Sequence, residues 1–134
     1  MYEHVLVTVA PNDSENATQM IAAAVRLLGE NGRISVLSIV EQVPARVYTF
    51  LPEDFLETSI TQIRSDLEKT LDVPNDNIHV LFGQPANSIL KWAEQSGVDC
   101  IVLKSHQPEF ADYLLGSTAA KVVRHAKCSV HVIR

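Results

Sequence analysis

The last third of the chain, residues 101–134, reads IVLKSHQPEFADYLLGSTAAKVVRHAKCSVHVIR. An apolar run, Ile101 to Leu103, leads into a polar loop from Lys104 to Tyr113, and a helix then opens on Gly116-Ser117-Thr118. A second apolar run, Cys128 to Ile133, has the length of a short strand. The N-terminus of a helix offers unpaired backbone N–H groups and the positive end of the helix dipole. A Gly-Ser-Thr run in that place, shortly after a buried strand, is typical of a phosphate site in an α/β protein.

The rest of the chain alternates between strand and helix patterns. Apolar, largely β-branched runs predict three further strands, Val5–Ala10, Ile34–Val40 and Ile78–Phe82, and the run at Ile101 extends to a strand over Asp99–Leu103. Apolar residues at helical spacing fill the segments between these runs, and Gly29, Gly32 and Gly97 are expected to end helices. The prolines and aromatics of residues 41–52 predict a long loop, and the last helix is predicted over Ser117–Ala126.

Five strands that alternate with four helices predict the α/β class. We expect one parallel sheet with right-handed crossovers and helices on both faces. At 134 residues, with no linker, internal repeat or low-complexity tract, the chain is expected to form a single domain over residues 1–134.

Composition restricts the function classes. A formal net charge of −5 argues against sequence-independent binding to nucleic acid or to anionic membranes. No apolar run approaches the roughly 20 residues of a transmembrane helix, and the N-terminus lacks the layout of a signal peptide. Cys100 and Cys128 each lie in an apolar run, which is typical of small core residues in a reducing compartment. We therefore expect a cytoplasmic protein.

The expected sheet also locates a candidate site. In open α/β sheets, ligands bind beyond the carboxyl ends of the strands, where the strand order reverses. If the first strand is central and the fourth lies beside it, the site falls between residues 10–12 and Lys104–Ser105. The Gly116-Ser117-Thr118 turn should then form its third wall.

The order and spacing of these motifs resemble the universal stress protein family. The likeness rests on Val5-Leu6-Val7-Thr8-Val9, on Gly83-Gln84-Pro85-Ala86 with Ile89-Leu90, on Leu114-Leu115-Gly116-Ser117, and on the ending from Val122 to Val130. It covers the whole chain. The resemblance implies an adenine nucleotide alpha hydrolase-like sheet of strand order 3-2-1-4-5 and a homodimer formed through the last strand, Cys128 to Ile133. One branch of the family binds ATP in the crevice where the strand order reverses, and another branch does not.

The family's nucleotide motif is Gly-x-x-Gly, nine residues, then Gly-Ser or Gly-Thr. Its first two glycines fall here on Lys104 and Gln107, its last two positions match Gly116-Ser117, and the spacing is one residue short. The chain has Ala10 where the family commonly has an Asp that faces the nucleotide. Ser105-His106 and the shortened loop resemble a subgroup of small bacterial stress proteins that does bind nucleotide. Lys104 could partly replace the lost glycines as a charge on phosphate.

These arguments give a set of candidate residues for binding ATP or a related adenine nucleotide, with Mg²⁺ arriving on the nucleotide. The set is Val9, Ala10, Pro11, Asn12, Ile39, Val40, Lys104, Ser105, His106, Gly116, Ser117 and Thr118.

Three function classes stay open on the sequence alone. The first is a nucleotide-binding stress or regulatory protein, and the second is a dimeric interaction protein with a vestigial pocket. The third is an enzyme, at most a slow ATPase, for which no catalytic residue can be named. Adjacent residues such as Ser105 and His106 point opposite ways on an extended chain, which disfavours a nucleophile and base pair. The remaining histidines are scattered without metal-ligand spacing, so no dedicated metal site is predicted.

Overall fold

The sheet has the predicted architecture. The computed structural model describes residues 1–105 and 115–134. Its five strands form one parallel sheet in the order β3-β2-β1-β4-β5. This order confirms the predicted fold class. The strands are β1 Tyr2–Thr8, β2 Leu28–Glu41, β3 Ile78–Gly83, β4 Cys100–Lys104 and β5 Ser129–Ile133.

Helices cover both faces of the sheet and divide the core into two layers. The helices in the described parts of the chain are α1 Ser14–Leu27, α2 Ala45–Tyr48, α3 Phe55–Thr70, α4 Pro85–Gln95 and α5 Ser117–His125. One layer packs α1 and α3 on the face that carries Val5 and Val7. The other packs α4 and α5 on the face that carries Leu6 and Ile101. The central strands are apolar on both faces because each face is covered by helices.

The first strand begins at Tyr2 and ends at Thr8, where Val5–Ala10 was predicted, and several other element ends differ from the prediction by one residue. Two differences are larger. The predicted loop of residues 41–52 contains the short helix α2, which opens where the Val47 N–H donates to the Pro44 carbonyl at 2.9 Å. The second strand begins at Leu28 and not at Ile34. The α1 helix therefore ends before the glycines that were expected to stop it.

The early start of β2 comes from an irregularity beside β1. Tyr2 pairs with Leu28, whereas His4, two residues on, pairs with Arg33. The extra residues of β2 fold back against Tyr2, and a Cβ at Gly32 would lie 2.9 Å from the Tyr2 carbonyl oxygen. Glycine is required there by this close backbone approach.

The cysteines behave as core residues. Both are free, Cys100 is buried and Cys128 is half-buried. Burial raises the pKa of the Cys100 thiol to about 11 and also raises the pKa of Cys128. The thiolate form of each residue is therefore disfavoured at neutral pH. Cys128 lies just before β5, which starts at Ser129.

Candidate functional site

A crevice of about 710 Å³ opens at the carboxyl ends of β1 and β4. From β1 the chain proceeds to β2 and β3 on one side of the sheet and reaches β4 and β5 on the other. The two loops that follow β1 and β4 therefore diverge and leave room between them. This is the general position of ligand sites in open parallel sheets.

The floor of the crevice is apolar. Its buried side chains come from the sheet and from the two helix layers: Val9, Met20, Leu37, Ile39, Ile89 and Leu103. Val40 and Pro85 add half-buried apolar surface. A floor of this kind suits a flat apolar group such as a nucleobase.

The rim of the crevice is polar. Asn12 and Asp13 come from the turn before α1, where the Asp13 N–H donates to the Ala10 carbonyl at 3.0 Å. Lys104 stands at the end of β4 and Glu41 at the end of β2. The charged residues of the described lining are thus one cation and two carboxylates.

The third wall is the N-terminus of α5. Gly116 is the residue before the helix, with extended backbone (φ −60°, ψ 157°), and within the described residues no side chain caps the helix. The Ala120 N–H bonds the Gly116 carbonyl at 2.8 Å, so the helix turns from its first residues. Ser117 is exposed and Thr118 half-buried at the crevice. Backbone N–H groups at such a helix start can bind an anion.

The structure brings most of the candidate residues together. Those that line the crevice are Val9, Ala10, Pro11, Asn12, Ile39, Val40, Lys104, Gly116, Ser117 and Thr118. Ser105 does not line the crevice, and its N–H donates to the Ile133 carbonyl at 2.8 Å. His106 and the motif position Gln107 lie outside the described residues.

Sequence reasoning missed several lining residues. Asp13 carried a signal as the N-cap of the first helix, and its carboxylate accepts a hydrogen bond from the Asn16 side chain at 2.6 Å. Glu41 directly follows a predicted strand. Met20 and Ile89 read only as helix core positions, and no pattern in the sequence distinguishes core from crevice floor.

Metal ligands do not converge in the described parts of the chain. Within residues 1–105 and 115–134, no group of three His, Cys, Asp or Glu side chains is placed to hold an ion. Every helix in these two ranges is too short or too polar to span a lipid bilayer.

Comparison with known proteins places the chain in a family. The universal stress protein family profile matches residues 1–134. A universal stress protein of Methanothermobacter thermautotrophicus is 31% identical to this chain. The alignment is 146 positions long and covers 100% of this chain and 97% of that protein. The chain belongs to the universal stress protein family.

Solved structures share the fold. A universal stress protein from Archaeoglobus fulgidus in complex with dAMP superimposes with a TM-score of 0.60 at 18% identity, covering 99% of this chain and 98% of that one. A universal stress protein in complex with cAMP gives a TM-score of 0.61 at 18% identity, covering 99% and 97%. Both of these proteins share the fold of this chain, and both structures contain an adenine nucleotide.

Proposed function

We propose that this universal stress protein binds ATP or a related adenine nucleotide in the crevice and acts as a dimeric regulatory protein of the cytoplasm. The observation that carries the proposal is the juxtaposition of an apolar floor with the N-terminus of α5. A nucleobase would lie over Val9, Ile39 and Val40, and the phosphates would accept hydrogen bonds from the Ser117 and Thr118 turn. The dAMP and cAMP complexes of two family members support this choice of ligand.

The charges of the rim define how phosphate would be held. Lys104 supplies an attractive charge, whereas Asp13 and Glu41 oppose an anion at the same rim. A Mg²⁺ ion that arrives on the phosphates of ATP would offset this repulsion and could take carboxylate oxygens as ligands. ATP binding should therefore depend on Mg²⁺ more strongly than AMP binding does.

Calorimetric titration with AMP, cAMP, ADP and Mg-ATP tests the proposal. We expect binding by the unmodified chain and loss of binding in Gly116→Asp, which places a side chain and a negative charge at the start of α5. Thr61→Asp is the matched control, because Thr61 is exposed on α3 and does not line the crevice. The absence of heat with every nucleotide at millimolar concentration, on folded protein, would contradict the proposal.

The second candidate is a dimeric interaction protein with a vestigial pocket. The two carboxylates of the rim, Asp13 and Glu41, favour it because they disfavour phosphate. If this candidate is correct, the same titrations give no heat of binding with any of the nucleotides.

Slow hydrolysis of ATP is a third candidate activity. Release of phosphate over hours by the unmodified chain, and none by Gly116→Asp, would establish it.

The proposed dimer uses the edge strand β5. In the described sheet β5 pairs with β4 on one side, and its other edge presents backbone N–H and C=O groups. An edge strand of this kind pairs readily with a second chain. Antiparallel pairing of two β5 strands about a twofold axis would give a closed, self-complementary interface.

A further inference from the structure

The end of the sheet opposite the crevice holds a buried histidine. His4 is 4% exposed, and its neutral ring satisfies two contacts at once. Nδ1 lies 3.1 Å from the Ser96 carbonyl oxygen, and Nε2 lies 2.8 Å from the Ser35 hydroxyl. Because a carbonyl can only accept, the neutral ring that makes both bonds carries its proton on Nδ1 and accepts from Ser35 at Nε2. Ser96 is the residue after α4, so this imidazole ties the end of α4 to β1 and β2.

The same ring packs against the indole of α4. Trp92 meets His4 edge to face with ring centroids 6.1 Å apart, and its other neighbour is His79 of β3 at 5.0 Å. We name His4, Ser35, Trp92 and Ser96 the His4 clamp. Two strands, β1 and β2, and one helix meet in it, so its contacts hold α4 against the sheet.

The charges around His4 set how it responds to a proton. An Arg33 guanidinium nitrogen of β2 lies 3.2 Å from Nδ1, and Arg64 of α3, itself 3.9 Å from Glu68, approaches the neighbouring His79. The Asp99 carboxylate is the opposing group, and it already accepts the backbone N–H groups of Glu3 and His4 at 2.9 Å. Burial and then Arg33 lower the pKa of His4. Burial and then Arg64 lower the pKa of His79.

We infer that the His4 clamp is an acid-sensitive latch. A protonated His4 can still donate to the Ser96 carbonyl and the Ser35 hydroxyl, but it carries its charge on a buried ring beside the Arg33 guanidinium. The charged ring therefore leaves this site and releases Trp92 and the end of α4 from the sheet. The first half of α4 lines the crevice through Pro85 and Ile89. Release of the helix therefore also loosens one wall of the crevice. This inference stands on the clamp geometry and holds whether or not the crevice binds a nucleotide.

Trp92 is the only tryptophan of the chain and reports directly on the latch. Acrylamide quenching of its fluorescence should rise as the pH is lowered from about 7.5 to about 4.5, the range in which histidine titrates. The midpoint should lie below 6.5, the ordinary value for histidine. Far-UV circular dichroism should stay constant through this rise, because the sheet remains folded while the helix end is released.

Two variants separate a latch from a merely structural contact. Arg33→Gln should shift the midpoint upward, since an exposed positive charge beside His4 is removed without disturbing the core. His4→Gln should abolish the transition, because an amide can keep both hydrogen bonds but cannot be protonated in this range. Arg26→Gln and His125→Gln are the matched controls, because both residues are exposed on other helices, and they should leave the midpoint unchanged.

Several results would overturn the inference. They are a constant quenching profile down to about pH 4.5, a midpoint that Arg33→Gln does not move, and a transition that coincides with loss of the circular dichroism signal. The variant His79→Gln assigns the titrating group: a transition that persists in it belongs to His4, and one that disappears in it belongs to His79 and contradicts the proposal. If His4→Gln does not fold, the direction of the Arg33→Gln shift still decides.

Discussion

At the scale of single residues, Asp99, which directly precedes β4, links that strand to β1 through hydrogen bonds. Its carboxylate accepts the N–H groups of Glu3 and His4, each at 2.9 Å, and its own N–H donates to the His4 carbonyl at 3.0 Å. Burial raises the pKa of this carboxyl, but the hydrogen bonds from the Glu3 and His4 backbones outweigh it, and the pKa lies below its usual range. The ionised form is therefore the one that stabilises the fold.

Asp99→Ala should lower the free energy of unfolding by about 1–3 kcal/mol at neutral pH, because two backbone donors lose a charged acceptor. Since the folded-state pKa is depressed, this stabilisation is complete above the unfolded value of 3.8 and is lost as the pH falls through the folded value. Urea unfolding at pH 7 measures the loss. Asp72→Ala, an exposed carboxylate, is the control, and an equal effect of the two substitutions would contradict the assignment.

The crevice residues at the strand ends and at the start of α5 were predictable because those positions are marked in the sequence, whereas floor residues such as Met20 and Ile89 were not. The His4 clamp was not, since His4, Ser35, Trp92 and Ser96 come from segments far apart in the chain. Nothing in the local pattern of any one of them shows that they meet. Only the strand order and the face of each strand bring the rings together.

At the scale of elements, the irregular start of β2 fixes how β1 and β2 meet. Gly32 packs so closely that an added Cβ would lie 2.7 Å from a Leu28 methyl carbon and 2.9 Å from the Tyr2 carbonyl oxygen. At Gly29 the nearest atom, the same carbonyl oxygen, would be 3.3 Å away. A side chain is therefore expected to be tolerated less well at Gly32 than at Gly29.

Gly32→Ala should destabilise the chain by about 1–3 kcal/mol, the usual cost of forcing an extra carbon into a packed site. Gly29→Ala should cost less, because its neighbour needs to move only slightly. Thermal unfolding of the two variants gives the comparison. Equal stability of Gly32→Ala and the unmodified chain would show that the backbone at Tyr2 yields easily.

The short helix α2 and the first part of β2 escaped prediction for physical reasons. The α2 helix has only four residues, too few for an apolar periodicity to appear. The start of β2 contains two glycines and two polar residues between them, a composition that favours a turn. Tertiary pairing with Tyr2 decides its conformation instead.

At the scale of the whole molecule, alternation of strands and helices predicted the class but not the strand order. That order came from the family resemblance of the motifs. Periodicity alone does not determine which strands are neighbours, because every buried strand of a parallel sheet has the same apolar pattern. The edge position of β5, and with it the proposed dimer, depends on this order.

The dimer can be tested at the centre of β5. His131 is the middle residue of Ser129–Ile133 and is exposed, so a twofold axis that pairs the full strand passes close to it. His131→Asp would bring two carboxylates together and should weaken association by about tenfold or more. Sedimentation equilibrium measures the change, with His125→Asp on α5 as control. If the unmodified chain sediments as a monomer at all concentrations, the proposed dimer is wrong.

The sheet also separates two apolar layers that, within residues 1–105 and 115–134, have no buried side chain in common. Val5, Val7 and Val36 belong to the α1 and α3 side, whereas Leu6, Leu37 and Ile101 belong to the α4 and α5 side. Substitutions that lie more than about 7–10 Å apart and share no partners usually have additive effects on stability. Each layer can therefore accumulate sequence change under its own constraints, so divergence on the α1 and α3 side need not be matched by compensating change on the side of the His4 clamp.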